Sequence, residues 1–215
     1  LPLVIGTSNT INNKELKIAV DLWCKDKRKA YNLFGHISLW DTKQVTNMYK
    51  LFFPKFNFNS VISSWDVSNV TDMSDMFYRA ESFNQPLNNW DVSSVTDMNS
   101  MFQWALNFNQ SLDNWDVNNV TDMNRMFHWA ITFNQSLDNW DVSNVKNMSC
   151  MFKHALSFNK PLNNWDVSNV KNKTMFFMFF DAKNFNQPLD NWDVSNVTNM
   201  EGMFGCCINF NQPLN

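Results

Sequence analysis

Glycine and proline are scarce in this chain, at four and six of 215 residues, while ten tryptophans and 20 phenylalanines crowd it. Such a bias points to internal repetition. No apolar run approaches the roughly 18–20 residues that a bilayer-crossing helix needs; the nearest is the short cluster at residues 175–180. Neither sign of charge dominates. Seventeen Lys and Arg against 20 Asp and Glu leave a formal net charge of -3, which argues against a dedicated nucleic-acid binder, whose affinity comes largely from basic side chains on phosphates. With 44% hydrophobic and 17% charged residues, wholesale disorder is not expected either. The three histidines, His36, His128 and His154, stand in no metalloprotease, nucleophile-elbow or phosphate-loop context. Cys24, Cys150, Cys206 and Cys207 form no C-x-x-C pair. We therefore expect no enzyme, no cofactor and no metal.

What is present is a repeat. Trp-Asp recurs at Trp40, Trp65, Trp90, Trp115, Trp140, Trp165 and Trp192, a spacing of 25 residues five times and then 27. The composite unit is W-D-V-S-N-V-T-D-M-x-x-M-F-x-x-A-x-x-F-N-Q-P-L-x-N, and seven units fill residues 40–215. The 27-residue unit takes up its extra pair around Lys173 and Thr174.

Two periodicities share each unit. Alternation at Trp90 and Val92, with Asp91 between them, predicts a short strand within residues 87–92. From Val95 the apolar positions are Val95, Met98, Met101, Phe102 and Ala105, one face of a short helix with Thr96 as its N-cap and Asp97 at its positive end. Such a coil cannot bury its own apolar stripe and must stack on its siblings. The predicted fold is α/β: a solenoid of leucine-rich-repeat-like coils, one short parallel strand and one short helix per coil. The asparagines beside the core Phe positions, among them Asn84, Asn109 and Asn134, are expected to form an amide ladder, because polar groups next to a core must be hydrogen-bonded.

These residues carry a resemblance. The stretch L-x-x-W-x-V-x-x-V resembles a variant leucine-rich repeat, and the whole unit resembles the BspA-like 25-residue repeat of surface proteins, found in bacteria, protists and large DNA viruses. Residues 14–39 resemble the segment that often precedes such arrays. The resemblance implies a surface protein for adhesion or protein binding with no established catalysis, at a cell surface, secreted or on a virion.

Residues 1–39 read as an N-terminal segment and helical cap, separate from the repeat region at 40–215. Asn12 and Glu15 are spaced as a capping box, Leu16, Ala19, Val20 and Trp23 form an apolar stripe, and Gly35 closes the helical region. The basic residues among Lys25, Asp26, Lys27, Arg28 and Lys29 read as a solvated face. At the other end the last unit shows no polar cover, which is expected of a fragment or of a subunit in a larger assembly.

Two constellations are candidates for binding. The first is the Asp column that includes Asp91, Asp116 and Asp141. Each can hold its own turn backbone, or cations can sit between coils, with the turn reading favoured. The second is the pair of positions before the Ala column, which carries Tyr78 and Arg79, Gln103 and Trp104, His128 and Trp129, Lys153 and His154. Lying off the apolar stripe, Trp104, Trp129 and His154 are expected to stack on the convex, helical side. They form either a contact patch or a lateral extension of the core. The function read from the sequence is thus a rigid surface for a protein partner or assembly neighbours. The alternatives are a carbohydrate-binding module, in which exposed Trp stacks on sugar, or an architectural subunit.

Overall fold

A computed structural model describes residues 10–170 and 175–213. The extra pair assigned to Lys173 and Thr174 lies outside the described residues.

The cap is helical. Helix α1, Asn13–Lys25, starts at a complete capping box: Asn12 Oδ1 accepts the N–H groups of Lys14 and Glu15, and Glu15 returns a carboxylate oxygen to the Asn12 N–H at 3.2 Å. Leu16, Ala19, Val20 and Trp23 are its buried face. Asp26 ends α1 and, through its carboxylate on the Lys29 N–H, begins α2, Lys27–Phe34. Gly35 follows with φ 73, and a single 3-10 turn at Ile37–Leu39 leads into the repeats.

The repeats depart from the α/β expectation. Among the described residues there is no strand, no sheet and no helix beyond the cap. The coils are built from turns joined by isolated parallel bridges.

The predicted strand is absent at residues 87–92 because the Trp90 N–H closes a turn onto the Leu87 carbonyl and the Val95 N–H closes another onto Val92. Those donors are spent inside the coil, and a ladder needs them outside it. Parallel bridges form instead five residues further on, linking Asn47 to Asp72, Asp72 to Asp97, Asp97 to Asp122 and Asp122 to Asn147. Around each bridge the Thr N–H reaches one coil back, as in Thr96 to the Thr71 carbonyl, and the Met N–H reaches one coil forward, as in Met98 to the Asp122 carbonyl.

The predicted helix fails for the same reason of hydrogen-bond direction. An α-helix sends every N–H to the carbonyl four residues back. Here Met98, Ser100, Phe102 and Trp104 donate to the next coil, at Asp122, Asn124, Met126 and His128, while Met101, Gln103 and Ala105 close onto residues three back. Alternate donors therefore serve the stack and the turns. Thr96 is accordingly no N-cap; its hydroxyl donates to the Thr71 carbonyl at 3.2 Å.

From the second coil on, this path needs left-handed backbone twice per coil. Lys50, Asp75, Ser100, Arg125, Cys150 and Phe177 form one positive-φ column, which Gly202 completes, and Arg79, Trp104, Trp129, His154, Asp181 and Cys206 form the other. Positive φ at the third residue is the requirement of a type II turn, normally met by glycine or asparagine. Side chains there cost about 1–2 kcal/mol each, a cost that only a scaffold fixed from both neighbouring coils can hold.

The core is aromatic and runs the length of the stack. Phe52, Phe77, Phe102, Phe127, Phe152, Phe179 and Phe204 stack face to face at 5.2–5.7 Å between centroids. A second column from Phe58 to Phe210 runs beside it at 5.7–6.0 Å. Trp115, Trp140, Trp165 and Trp192 form a third, within 2° of parallel. In this column each indole N–H is satisfied by a carbonyl 28 or 30 residues back, for example Trp140 Nε1 on Leu112 at 3.0 Å.

The amide ladder runs alongside. Asn84 Oδ1 accepts the Asn109 N–H at 3.0 Å and the Gln110 side-chain amide at 2.9 Å, and Asn109 does the same for Asn134 and Gln135. Asn69, Asn119 and Asn144 form another row, each donating its amide to a carbonyl one coil back.

Candidate functional site

The row before the Ala column is the most unusual surface of the molecule. Trp104 and Trp129 sit in adjacent coils with ring centroids 4.6 Å apart and planes 17° from parallel. His154 continues the stack at 4.2 Å from Trp129. Arg79 covers the other end, its guanidinium 5.8 Å from the Trp104 ring and 5.6 Å from Phe56. The row is held by turns rather than by helices, which corrects the convex helical side expected from the sequence. Trp104, Trp129 and His154 take φ values of 60, 62 and 58, so the backbone itself aims these side chains off the core.

The first position of each pair makes contacts of its own. Tyr78 stacks on Phe53 at 4.8 Å. Gln103 Nε2 lies 3.0 Å from His128 Nδ1; with the amide donating, that ring nitrogen accepts and Nε2 carries the proton. Burial, with His154, Lys153 and Arg125 nearby, depresses the His128 pKa to about 3, so this imidazole is neutral across the physiological range. His154 Nδ1 meets Asp181 Oδ2 at 2.9 Å. The Lys153 ammonium lies over Phe177 and Phe180, at 4.6 and 5.1 Å.

The stack is half-buried. Neighbouring residues occupy the ring faces, and the residues themselves stay partly exposed.

The Asp column is a different surface. Asp91 Oδ1 accepts the Ser93 N–H and hydroxyl at 3.1 and 2.6 Å, Asp116 the Asn118 N–H at 3.1 Å, and Asp141 the Ser143 N–H at 3.0 Å. These are Asx turns. The Ser93 hydroxyl and N–H hold the Asp91 carboxyl below its ordinary range, and Ser168 does the same for Asp166. No hydrogen bond, ring contact or ion pair joins this column to the aromatic row among the described residues. Nor do they contain a group of three or more His, Cys, Asp or Glu side chains able to hold a metal ion. Cys207 is structural, its thiol donating to the Phe179 carbonyl and pushed up by burial to about 11.

A second acidic column lies at the bridges, where the sequence pattern predicts only a helix-terminal charge at Asp97. Asp72, Asp97 and Asp122 are stacked between Asn47 and Asn147, whose amides donate to the two outer carboxylates at 2.9 and 3.0 Å. Asp97 stands in the middle. Burial, followed by Asp122, Asp72 and Asp75, pushes its carboxyl above 3.8, against the pull of the Asn99 N–H. A carboxyl raised on folding adds stability below its unfolded value and loses it as pH rises through the folded one. Asp97→Asn should therefore raise the melting temperature at pH 7, and the gain should vanish below pH 3.8. Calorimetry across that range checks it; an equal shift at pH 7 and pH 3 would show that charge is not the cause.

With this geometry in place, comparison identifies the repeat. A family model described as "Mycoplasma protein of unknown function, DUF285" matches residues 25–128, 85–177 and 107–215 in overlapping segments. The chain belongs to this family. The DUF285 match establishes a repeat family of unknown function, and it is not specifically to BspA-like leucine-rich repeats. No curated protein matches the chain. No helix among the described residues is long and apolar enough to cross a membrane.

Proposed function

We propose that this DUF285 chain is a non-enzymatic scaffold that binds another protein through the edge-on aromatic row of Tyr78, Arg79, Trp104, His128, Trp129 and His154. The observation that carries this reading is the Trp104–Trp129–His154 stack. The stack places aromatic edges, which favour carbonyl and carboxylate oxygens, along a rigid line. Trp, Tyr and Arg are also the side chains that most often anchor protein interfaces. Asp91, Asp116 and Asp141 offer a second, acidic contact line on exposed turns.

A sugar-stacking role fits less well. A pyranose needs an open ring face, whereas the faces of Trp104 and Trp129 are taken up by Arg79, by each other and by His154. Adhesion or assembly at a cell or virion surface is the finer part of the proposal and rests on the BspA-like resemblance of the unit.

The test is the double substitution Trp104→Ala with Trp129→Ala. Capture of a protein partner from the native source should fall at least tenfold, with the far-ultraviolet spectrum and the unfolding midpoint of the remaining coils little changed. Retained capture would sink the proposal, and collapse of the whole fold would assign the pair to the core instead.

A further inference from the structure

Every coil after the first reaches back to its predecessor with the N–H of its ladder asparagine, and four of the six do so with a second backbone donor two residues earlier. The Ser82 N–H donates to the Phe56 carbonyl and the Asn84 N–H to Asn59 Oδ1; one coil on, the Asn107 N–H donates to Glu81 and the Asn109 N–H to Asn84 Oδ1. The equivalent donors of the first coil are the Asn57 and Asn59 N–H groups. Where their predecessor would be stands the helical cap.

The cap substitutes for a coil at some positions of this end. Asn13 Oδ1 accepts the Thr46 N–H at 2.9 Å, in place of the missing Thr carbonyl, and the Gly35 carbonyl accepts Trp40 Nε1. At Asn57 and Asn59 it supplies nothing: among the described residues no acceptor meets either N–H. A cleft of about 540 Å³ opens there, lined by both asparagines, Ser60, Trp23 and Phe56, and by three lysines. Lys25 ends α1, Lys27 begins α2 with its ammonium 5.0 Å over the Trp23 ring, and Lys55 comes from the first coil.

No carboxylate lines this cleft. The two nearby are engaged, Asp21 with the Lys55 ammonium at 2.7 Å and Asp26 with the Lys29 N–H at 2.9 Å. On a chain whose net charge is -3, the groove is lined by Lys25 and Lys27 together with two asparagines whose N–H equivalents hold an oxygen in every later coil at the Asn59 position and in four of six at the Asn57 position. From this we infer that the cleft between cap and first coil binds a compact ligand carrying more than one phosphate or sulfate group. One oxyanion takes the Asn57 and Asn59 N–H groups in place of the missing carbonyl and amide oxygens. Lys25 and Lys27 neutralise the remaining charge, Lys55 being held by Asp21, through hydrogen bonds shorter and stronger than neutral ones. The site is separate from the aromatic row and does not depend on it.

The test is an amide-resolved NMR titration of the full chain with tripolyphosphate and, in parallel, with sucrose octasulfate. The Asn57 and Asn59 amide resonances should move and saturate with at least one probe, the responding probe naming the phosphate or sulfate source. Lys25→Gln with Lys27→Gln should weaken binding at least tenfold, both side chains being exposed and the amide spectrum reporting that the fold is kept. Lys160→Gln with Lys183→Gln, remote from the cleft, should leave it unchanged. Absence of binding by both probes at millimolar concentration would overturn the inference. So would still Asn57 and Asn59 resonances, or equal weakening by the two lysine pairs.

Discussion

Phe127→Ala is expected to cost about 3–5 kcal/mol of stability, the range for removing a fully buried Phe, when measured by urea unfolding. Phe127 is wholly buried and touches four rings: Phe102 and Phe152 in the adjoining coils at 5.7 and 5.6 Å, Phe133 at 4.1 Å and Trp140 at 6.4 Å. The lost ring leaves a void that cannot collapse, because the coils on both sides are fixed by backbone bonds: the Phe102 N–H on Met126 and the Phe127 N–H on Met151. In a stack of nearest-neighbour interfaces a weak central coil also uncouples its two flanks. The single transition should therefore broaden or split. Phe127→Leu, which keeps most of the volume, should show a smaller loss and one transition. A cost below about 1 kcal/mol, far under the usual range, would mean that the ring columns do not hold the coils together.

The second large effect belongs to the amide ladder. Asn109→Ala removes the oxygen that accepts the Asn134 N–H at 2.9 Å and the Gln135 amide at 3.0 Å. A donor stripped of its partner away from water costs about 1–3 kcal/mol, and the site is half-buried. Hydrogen exchange at the Asn134 amide should accelerate with the same substitution. Asn109→Asp keeps an acceptor at that place and should be the milder change. Equal losses for the two would show that the oxygen is not what the next coil needs.

Much of the fold is legible in the residues. The capping box at Asn12 and Glu15, the stripe Leu16, Ala19, Val20 and Trp23, and the inward set Trp90, Val92, Val95, Met98, Met101, Phe102 and Ala105 all stand where their spacing put them. That same spacing does not fix the secondary structure of the coil. Residues three apart share a helix face, but they are also joined when a turn closes, as Met98 to Met101, Phe102 to Ala105 and Ala105 to Phe108 are here. The apolar pattern is identical in the two cases, and only the destination of the alternate N–H groups separates them.

The candidate surfaces divide similarly. Stacking of Trp104, Trp129 and His154 follows from their recurrence one unit apart. Their left-handed backbone had no signal, since glycine, the usual marker, occupies those two columns only at Gly202. The middle position of Asp97 between two like charges was equally hidden, because its bridge was expected elsewhere in the unit. The cleft at Lys25, Lys27 and Lys55 joins residues distant in the chain.

The order of residues alone determined that this protein is a repeat, that its units stack, and which side chains face inward, because an apolar stripe recurring at fixed length has no other way to leave water. Tertiary structure alone decided what a coil is made of and where its surfaces lie. Each backbone N–H can be given to its own turn or to the neighbouring coil, and that choice is settled only when the neighbour is in place.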